Sequence, residues 1–268
     1  MQFIVALVTP FDSRGQVDLP ALRAHVMWLV AVGVDGFLAT GTTGEFPYLT
    51  DRERKQIHRT VIDAASNRKV FACPWDPSPL TMAYLSRQAV EAGADLVVPP
   101  PLYYRLAPQT VGQWFMELRE KVGRPMYGYH NPAMFRSDID PELYDMLLQQ
   151  DVLCGLKDSS MDIHRVRRLA ADHPGSVFGG GDRILGEAAT VPGLAGFISA
   201  MGNAWPELCM RIFKHGETER IHALMDHYAA IKRAGGVPAL KTALRMGCRM
   251  PMVSTHSHQS LPAPELNA

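Results

Sequence analysis

Eight short apolar runs alternate with segments of helical periodicity along this chain, and that alternation constrains the fold more than any other feature. The runs fall at residues 3–8, 36–39, 70–73, 95–98, 125–129, 152–157, 177–178 and 196–199. Between the first two, Leu19, Leu22, Val26, Leu29 and Val30 share one face of a helix over residues 18–32. Thr50 is placed to cap a helix over 51–65, and another helix is expected over 80–92. Strand–helix alternation of this kind predicts a parallel sheet, and eight units predict a closed (β/α)8 TIM barrel. An open doubly wound sheet is disfavoured, because no G-x-G-x-x-G follows the first strand. Past residue 204 the strand pattern stops. Residues 206–214, 217–232 and 237–249 read as helices and 254–268 as loop, dividing the chain into a barrel carrying the active site (1–203) and a short C-terminal helical appendage with its tail (204–268).

Composition excludes several function classes. With 27 basic and 27 acidic residues, the chain lacks the charge excess that nucleic acid or an anionic membrane surface would call for. No apolar run is long enough to span a bilayer, and the N-terminus lacks the pattern of a secretory signal. Cys73, Cys154, Cys209 and Cys248 are widely spaced, which fits reduced thiols and a cytoplasmic location. His256 and His258 lack a third ligand at sensible spacing, so no metal is expected, and no cofactor either.

In a barrel, reactive groups gather where strands end. The sixth run ends in Lys157. A lysine at the end of a buried strand reads in two ways: as a chain snorkelling to solvent, or as an amine desolvated until it becomes a carbonyl nucleophile. The second run ends in Gly41-Thr42-Thr43-Gly44-Glu45, either an ordinary glycine-rich turn or a backbone cradle for a carboxylate. The fifth ends in Tyr129-His130-Asn131-Pro132, where a tyrosine could carry a proton or be a satisfied core aromatic. His130 points to the opposite side of its strand from Tyr129 and reads as supporting structure. The fourth ends in Tyr103-Tyr104, which would line a site, form an oligomer contact or simply pack. Together these ends supply an amine, phenols and a cradle for a carboxylate.

On these residues the chain resembles the dihydrodipicolinate synthase / N-acetylneuraminate lyase family of pyruvate-dependent class I aldolases. The likeness covers Thr9-Pro10-Phe11, the 41–45 turn, Tyr129 with its following Asn-Pro, and Gly155-Leu156-Lys157-Asp158. It extends to Gly179-Gly180-Gly181-Asp182 and Gly196-Phe197-Ile198-Ser199. The resemblance implies that Lys157 forms an imine with pyruvate or another 2-oxo acid and that Tyr129 shuttles the proton. It implies that Thr42 links Tyr129 to a second phenol, matched by Tyr103, which many members supply from a neighbouring subunit. A homodimer or homotetramer is therefore expected. Thr42 and Thr43 amides would hold the substrate carboxylate, with Ile198 and Gly181 beside it.

The chain also departs from the family. Members that make dihydrodipicolinate carry an arginine where Met134 stands, and Arg136 lies two residues further on. Met134 and Glu45-Phe46 are more like the 2-keto-3-deoxy sugar acid aldolase and sialic acid lyase branches. The 131–136 run has some likeness to hydratase-aldolases acting on aromatic 2-oxo acids. Cys73-Pro74-Trp75-Asp76-Pro77 replaces a glycine-rich stretch, so Trp75 either reshapes the pocket or packs against a loop. A final helix common in the family is not expected. The leading reading is a lyase that cleaves or forms a 2-oxo acid with pyruvate as product or co-substrate, an aldehyde being the other partner. A dehydratase of 2-keto-3-deoxy sugar acids, a dihydrodipicolinate synthase and a non-catalytic 2-oxo acid binder are the alternatives.

Overall fold

A computed structural model describes residues 1–250 and 261–265. Its strands are β1 (Gln2–Ala6), β2 (Gly36–Ala39), β3 (Lys69–Ala72), β4 (Asp95–Val98), β5 (Met126–His130), β6 (Leu153–Asp158), β7 (Val177–Gly180) and β8 (Gly196–Ser199). They close in sequence order into one parallel barrel, β8 pairing back onto β1. Around it run α1 (Leu19–Val32), α2 (Asp51–Ala64), α3 (Pro79–Glu91), α4 (Pro108–Val122), α5 (Pro141–Gln149), α6 (Ile163–Asp172), α7 (Leu185–Ala188) and α8 (Pro206–His215). The expected (β/α)8 architecture is the observed one. None of the helices among the described residues is long and apolar enough to cross a membrane.

Side-chain alternation separates two cores. Phe3, Val5, Phe37 and Leu156 pack outward under the helices, whereas Ile4, Ala6, Leu38, Phe71, Val97, Phe178 and Ile198 fill the barrel. Phe71, Tyr127 and Phe178 meet edge to face at centroid distances of 5.1–5.8 Å. Below them Lys69 reaches the Tyr127 hydroxyl (3.3 Å) and Asp95 (3.2 Å). This apolar cluster fills the barrel interior at the end where the strands begin.

Local sequence explains where the outer helices start. Asp18, Ser78, Asp140 and Asp162 each accept a hydrogen bond from an amide of the first turn, and Thr50 with Glu53 forms a capping box on α2. Among the described residues two helices follow α8: α9 (Ile221–Arg233), entered through a 3-10 turn at Thr218–Arg220, and α10 (Val237–Ala243). α10 corrects the helix expected over 237–249. It stops at Leu244 because Arg245 adopts a left-handed φ of 56°, after which Gly247 bridges to Phe11. His256, His258 and part of the expected tail lie outside the described residues.

Two histidines buried behind the strand ends make stability pH-dependent. His25 bonds Asn203 (3.1 Å) and His58 bonds Thr40 (2.7 Å). Burial pushes both down to about 4, with the Arg54 charge adding to the effect at His58. The unfolded chain therefore binds more protons than the folded one between about pH 6.5 and 4, and stability falls as pH falls through that window. The expected loss is roughly 2 kcal/mol per histidine between pH 7 and pH 5. Urea unfolding at the two pH values checks it, and His58→Gln should remove about half of the loss. A midpoint that does not move would show that these histidines are not held neutral.

Candidate active site

The closed topology makes β5 and β6 neighbours, and their register sets Tyr129 directly opposite Lys157. Residues paired in a parallel ladder face the same side, so both side chains enter the barrel. Lys157 is only 5% exposed, and its Nζ lies 3.9 Å from the centroid of the Tyr129 ring. The adjacent acid is turned away: Asp158 is held by Arg165 (2.7 Å) and by Ser160. The amine therefore faces a phenol ring instead of a carboxylate. Beside it, Gly180 leaves room for Ser159, since a Cβ there would meet Ser159 Oγ at 2.4 Å, while Lys157 Cε would stand at an ordinary contact distance of 3.5 Å.

Tyr129 is buried, with its hydroxyl 3.4 Å from Thr42 Oγ1 and accepting from Asn131 Nδ2 at 3.2 Å. Burial alone pushes the phenol up. The Lys157 charge and hydrogen bonds from Thr42, Asn131 and Lys157 outweigh it and bring the phenol below its ordinary value. Cys73, also inside the barrel, is pushed up by burial to about 12 and stays a neutral thiol despite the Lys157 charge.

Residues 41–45 form a tight turn whose hydrogen bonds run from Gly44 and Phe46 amides to Gly41 and from the Glu45 amide to Thr42. The amides of Thr42 and Thr43 are not among those bonds. On the same cavity, Asp182 accepts from Ser199 Oγ and from the amides of Ala200 (3.1 Å) and Met201 (3.3 Å). Burial pushes its carboxyl up, against the pull of those bonds. Gly181 precedes it at φ 86°, a left-handed conformation that a side chain would strain.

These groups line one cavity of about 230 Å³ at the C-terminal ends of the strands. Of the residues singled out from sequence, Thr42, Thr43, Tyr129, Met134, Lys157, Gly181 and Ile198 all border it. Tyr103 does not. It is 75% exposed, packs edge to face on Tyr104, and borders a separate depression with Trp75 and Trp114. Trp75 rests against Phe46 at 4.8 Å, outside the lysine cavity. Arg136 borders another depression beside Arg105, and His130 is tied to Asp138 at 2.7 Å. Among the described residues no cluster of three or more His, Cys, Asp or Glu could hold a metal ion.

Sequence reasoning missed other lining residues. Asn131 stood in a quoted motif, but nothing assigned its amide to the Tyr129 hydroxyl. Ser159, Met161 and Met201 follow strand ends and could have been found there. Tyr228, Ile231 and Lys232 of α9, with Val237 and Leu240 of α10, carry no motif at all.

A model of the dihydrodipicolinate synthetase family matches residues 1–257. An uncharacterized DapA-like lyase of Halobacterium salinarum is 32% identical over 89% of this chain and 81% of its own length. A 4-hydroxy-tetrahydrodipicolinate synthase of Corynebacterium diphtheriae is 30% identical over 90% of this chain and 83% of the relative. Among solved structures, Clostridium difficile CdNal, crystallised with mannosamine, superposes with a TM-score of 0.87 at 22% identity, covering 94% of this chain and 92% of that one. That likeness carries the fold.

Proposed function

The chain belongs to the dihydrodipicolinate synthetase family, and from that premise we propose that it is a lyase working through an imine on Lys157, with pyruvate as product or co-substrate. The observation that carries this reading is the buried Lys157 amine against the Tyr129 phenol in an open cavity. In the cleavage direction, the amine attacks the ketone carbon of a 4-hydroxy-2-oxo acid and water leaves, giving a protonated imine. The Tyr129 oxygen takes the proton of the 4-hydroxyl as the bond between C3 and C4 breaks. The bonding pair moves into the imine as an enamine, and the aldehyde departs. Tyr129 returns the proton to C3, and water hydrolyses the imine to free pyruvate. The Thr42 and Thr43 amides would hold the carboxylate, with Ile198 and Gly181 beside the pyruvoyl group.

Tyr103, exposed and outside the lysine cavity, fits a phenol delivered across a subunit contact to Thr42 of a second copy; a homodimer or homotetramer is part of the proposal.

For the second substrate, Met134 borders the cavity and is 57% exposed, while Arg136 does not reach it. This loop therefore offers no guanidinium to a second carboxylate, which supports cleavage or formation of a 2-keto-3-deoxy acid over dihydrodipicolinate synthesis. A dehydratase would use the same lysine without breaking a carbon–carbon bond. One observation favours a second reading of the acceptor. Ala133, Met134, Met161, Ile231, Val237 and Leu240 make much of the outer wall apolar. Such a wall leaves sugar hydroxyls unpaired and suits an aldehyde with an apolar or aromatic substituent.

The test is to incubate the protein with millimolar pyruvate, reduce with borohydride and map the adduct by mass spectrometry. An adduct on Lys157 is expected, and its absence would sink the mechanism. Product analysis on 2-keto-3-deoxy acids and on arylidene or alkylidene pyruvates then separates aldolase from dehydratase and ranks the acceptors.

A further inference from the structure

Glu45 closes the 41–45 turn in a left-handed conformation, φ 58°, with its side chain buried. A glutamate in this conformation needs its surroundings to hold it there. Its carboxylate receives the Lys241 ammonium and the backbone amides of Arg249 (3.0 Å) and Met250 (2.7 Å). Lys241 is itself fully buried on α10, its ammonium 4.3 Å from the centroid of the Phe11 ring. The segment after α10 is fastened a second time, Arg249 bonding Glu53 (3.0 Å) and the carbonyls of Tyr48 (2.7 Å) and Gly15 (2.8 Å). Val237 and Leu240, from the same helix as Lys241, wall the cavity that Thr42 and Thr43 also line.

A buried ion pair is a poor device for stability alone, because apolar residues of similar volume often serve as well. What an ion pair adds is a fixed position. Glu45 follows Thr43 by two residues, so drawing its carboxylate inward to α10 sets the peptide planes of the turn. We propose that the Glu45–Lys241 pair is a positioning device: it orients the Thr42 and Thr43 amides toward the substrate carboxylate and ties that orientation to the helix walling the outer cavity. The inference rests on the imine reading and on the turn as carboxylate holder.

The test compares borohydride trapping on Lys157 by pyruvate with trapping by acetaldehyde, which forms the imine but has no carboxylate. Glu45→Gln/Lys241→Met removes both charges together, so neither is left buried alone, and Gln keeps an acceptor for the Arg249 and Met250 amides. The half-saturating concentration of pyruvate should rise at least about tenfold more than that of acetaldehyde. Glu45→Asp, which keeps the charge but withdraws it by one methylene, should fall between the double variant and wild type, and serves alone if the double variant does not fold. Equal shifts for the two probes, or none for pyruvate, overturn the positioning role while leaving the imine mechanism in place. Failure of wild-type protein to trap pyruvate at all would overturn the imine reading and this inference with it.

Discussion

Lys157→Ala should abolish the reducible pyruvate adduct and lower turnover by at least about 10⁵-fold, since it removes the buried amine on which the imine forms. Cys73, also inside the barrel, is no substitute, because burial keeps that thiol protonated. Lys157→Arg should be equally inactive, because guanidinium stays protonated and does not form the imine. It is the sharper variant, as it keeps a positive charge near Tyr129. In Lys157→Ala that charge is lost, and burial should then raise the Tyr129 phenol. Neither change should unfold the protein, because the side chain lies at the wall of an open cavity rather than in the outer core. Circular dichroism and thermal unfolding verify the fold, and trapping with mass spectrometry reads the chemistry. An adduct on Lys157→Ala, or turnover within about 100-fold of wild type, would show that another group performs the attack.

The barrel was legible because its strands are buried on both faces and stand out as short apolar runs between amphipathic stretches. For β2, β4 and β8 the expected limits are the observed ones. β1 ends at Ala6, earlier than its apolar run, because the Val8 amide leaves the ladder for the Asn203 side chain at 3.1 Å. Such an end depends on a residue 195 positions away, and no local pattern reports it. The same holds for α10, whose helical periodicity continues in sequence while the chain turns aside to meet Glu45 and Phe11.

Placement of the cavity residues was legible for a related reason. In a closed parallel barrel every strand end faces one mouth, so finding the ends finds the lining. Tyr129 and Lys157 follow from that rule, together with the adjacency of β5 and β6. Trp75 shows where the rule fails. It lies three residues past β3, far enough for the loop to turn its indole onto Phe46 and away from the mouth. The outer wall from α9 and α10 was invisible because amphipathicity tells that a helix has a buried face, not which cavity that face borders.

Tyr129→Phe should keep the pyruvate adduct and lose about 10²- to 10⁴-fold in turnover. The ring itself has two structural partners that Phe retains: the Lys157 amine over its face and Phe135 at 5.0 Å, edge to face. The lysine should therefore stay in place and still form the imine. What disappears is the hydroxyl, with its bonds to Asn131 and Thr42, at a stability cost of about 1 kcal/mol. The missing step is proton transfer, and it has its own readout. Exchange of the pyruvate methyl protons with deuterated water passes through the enamine and should slow along with cleavage, while borohydride trapping does not. A pH profile adds a second sign. As the base in cleavage the phenol must lose its proton, so the wild-type rate should rise with pH through a group lying below ordinary tyrosine, the direction in which Lys157, Thr42 and Asn131 move it. Tyr129→Phe should lack that limb. Turnover or methyl exchange within about threefold of wild type would assign the proton transfer to another group, leaving Tyr129 as the floor on which Lys157 rests.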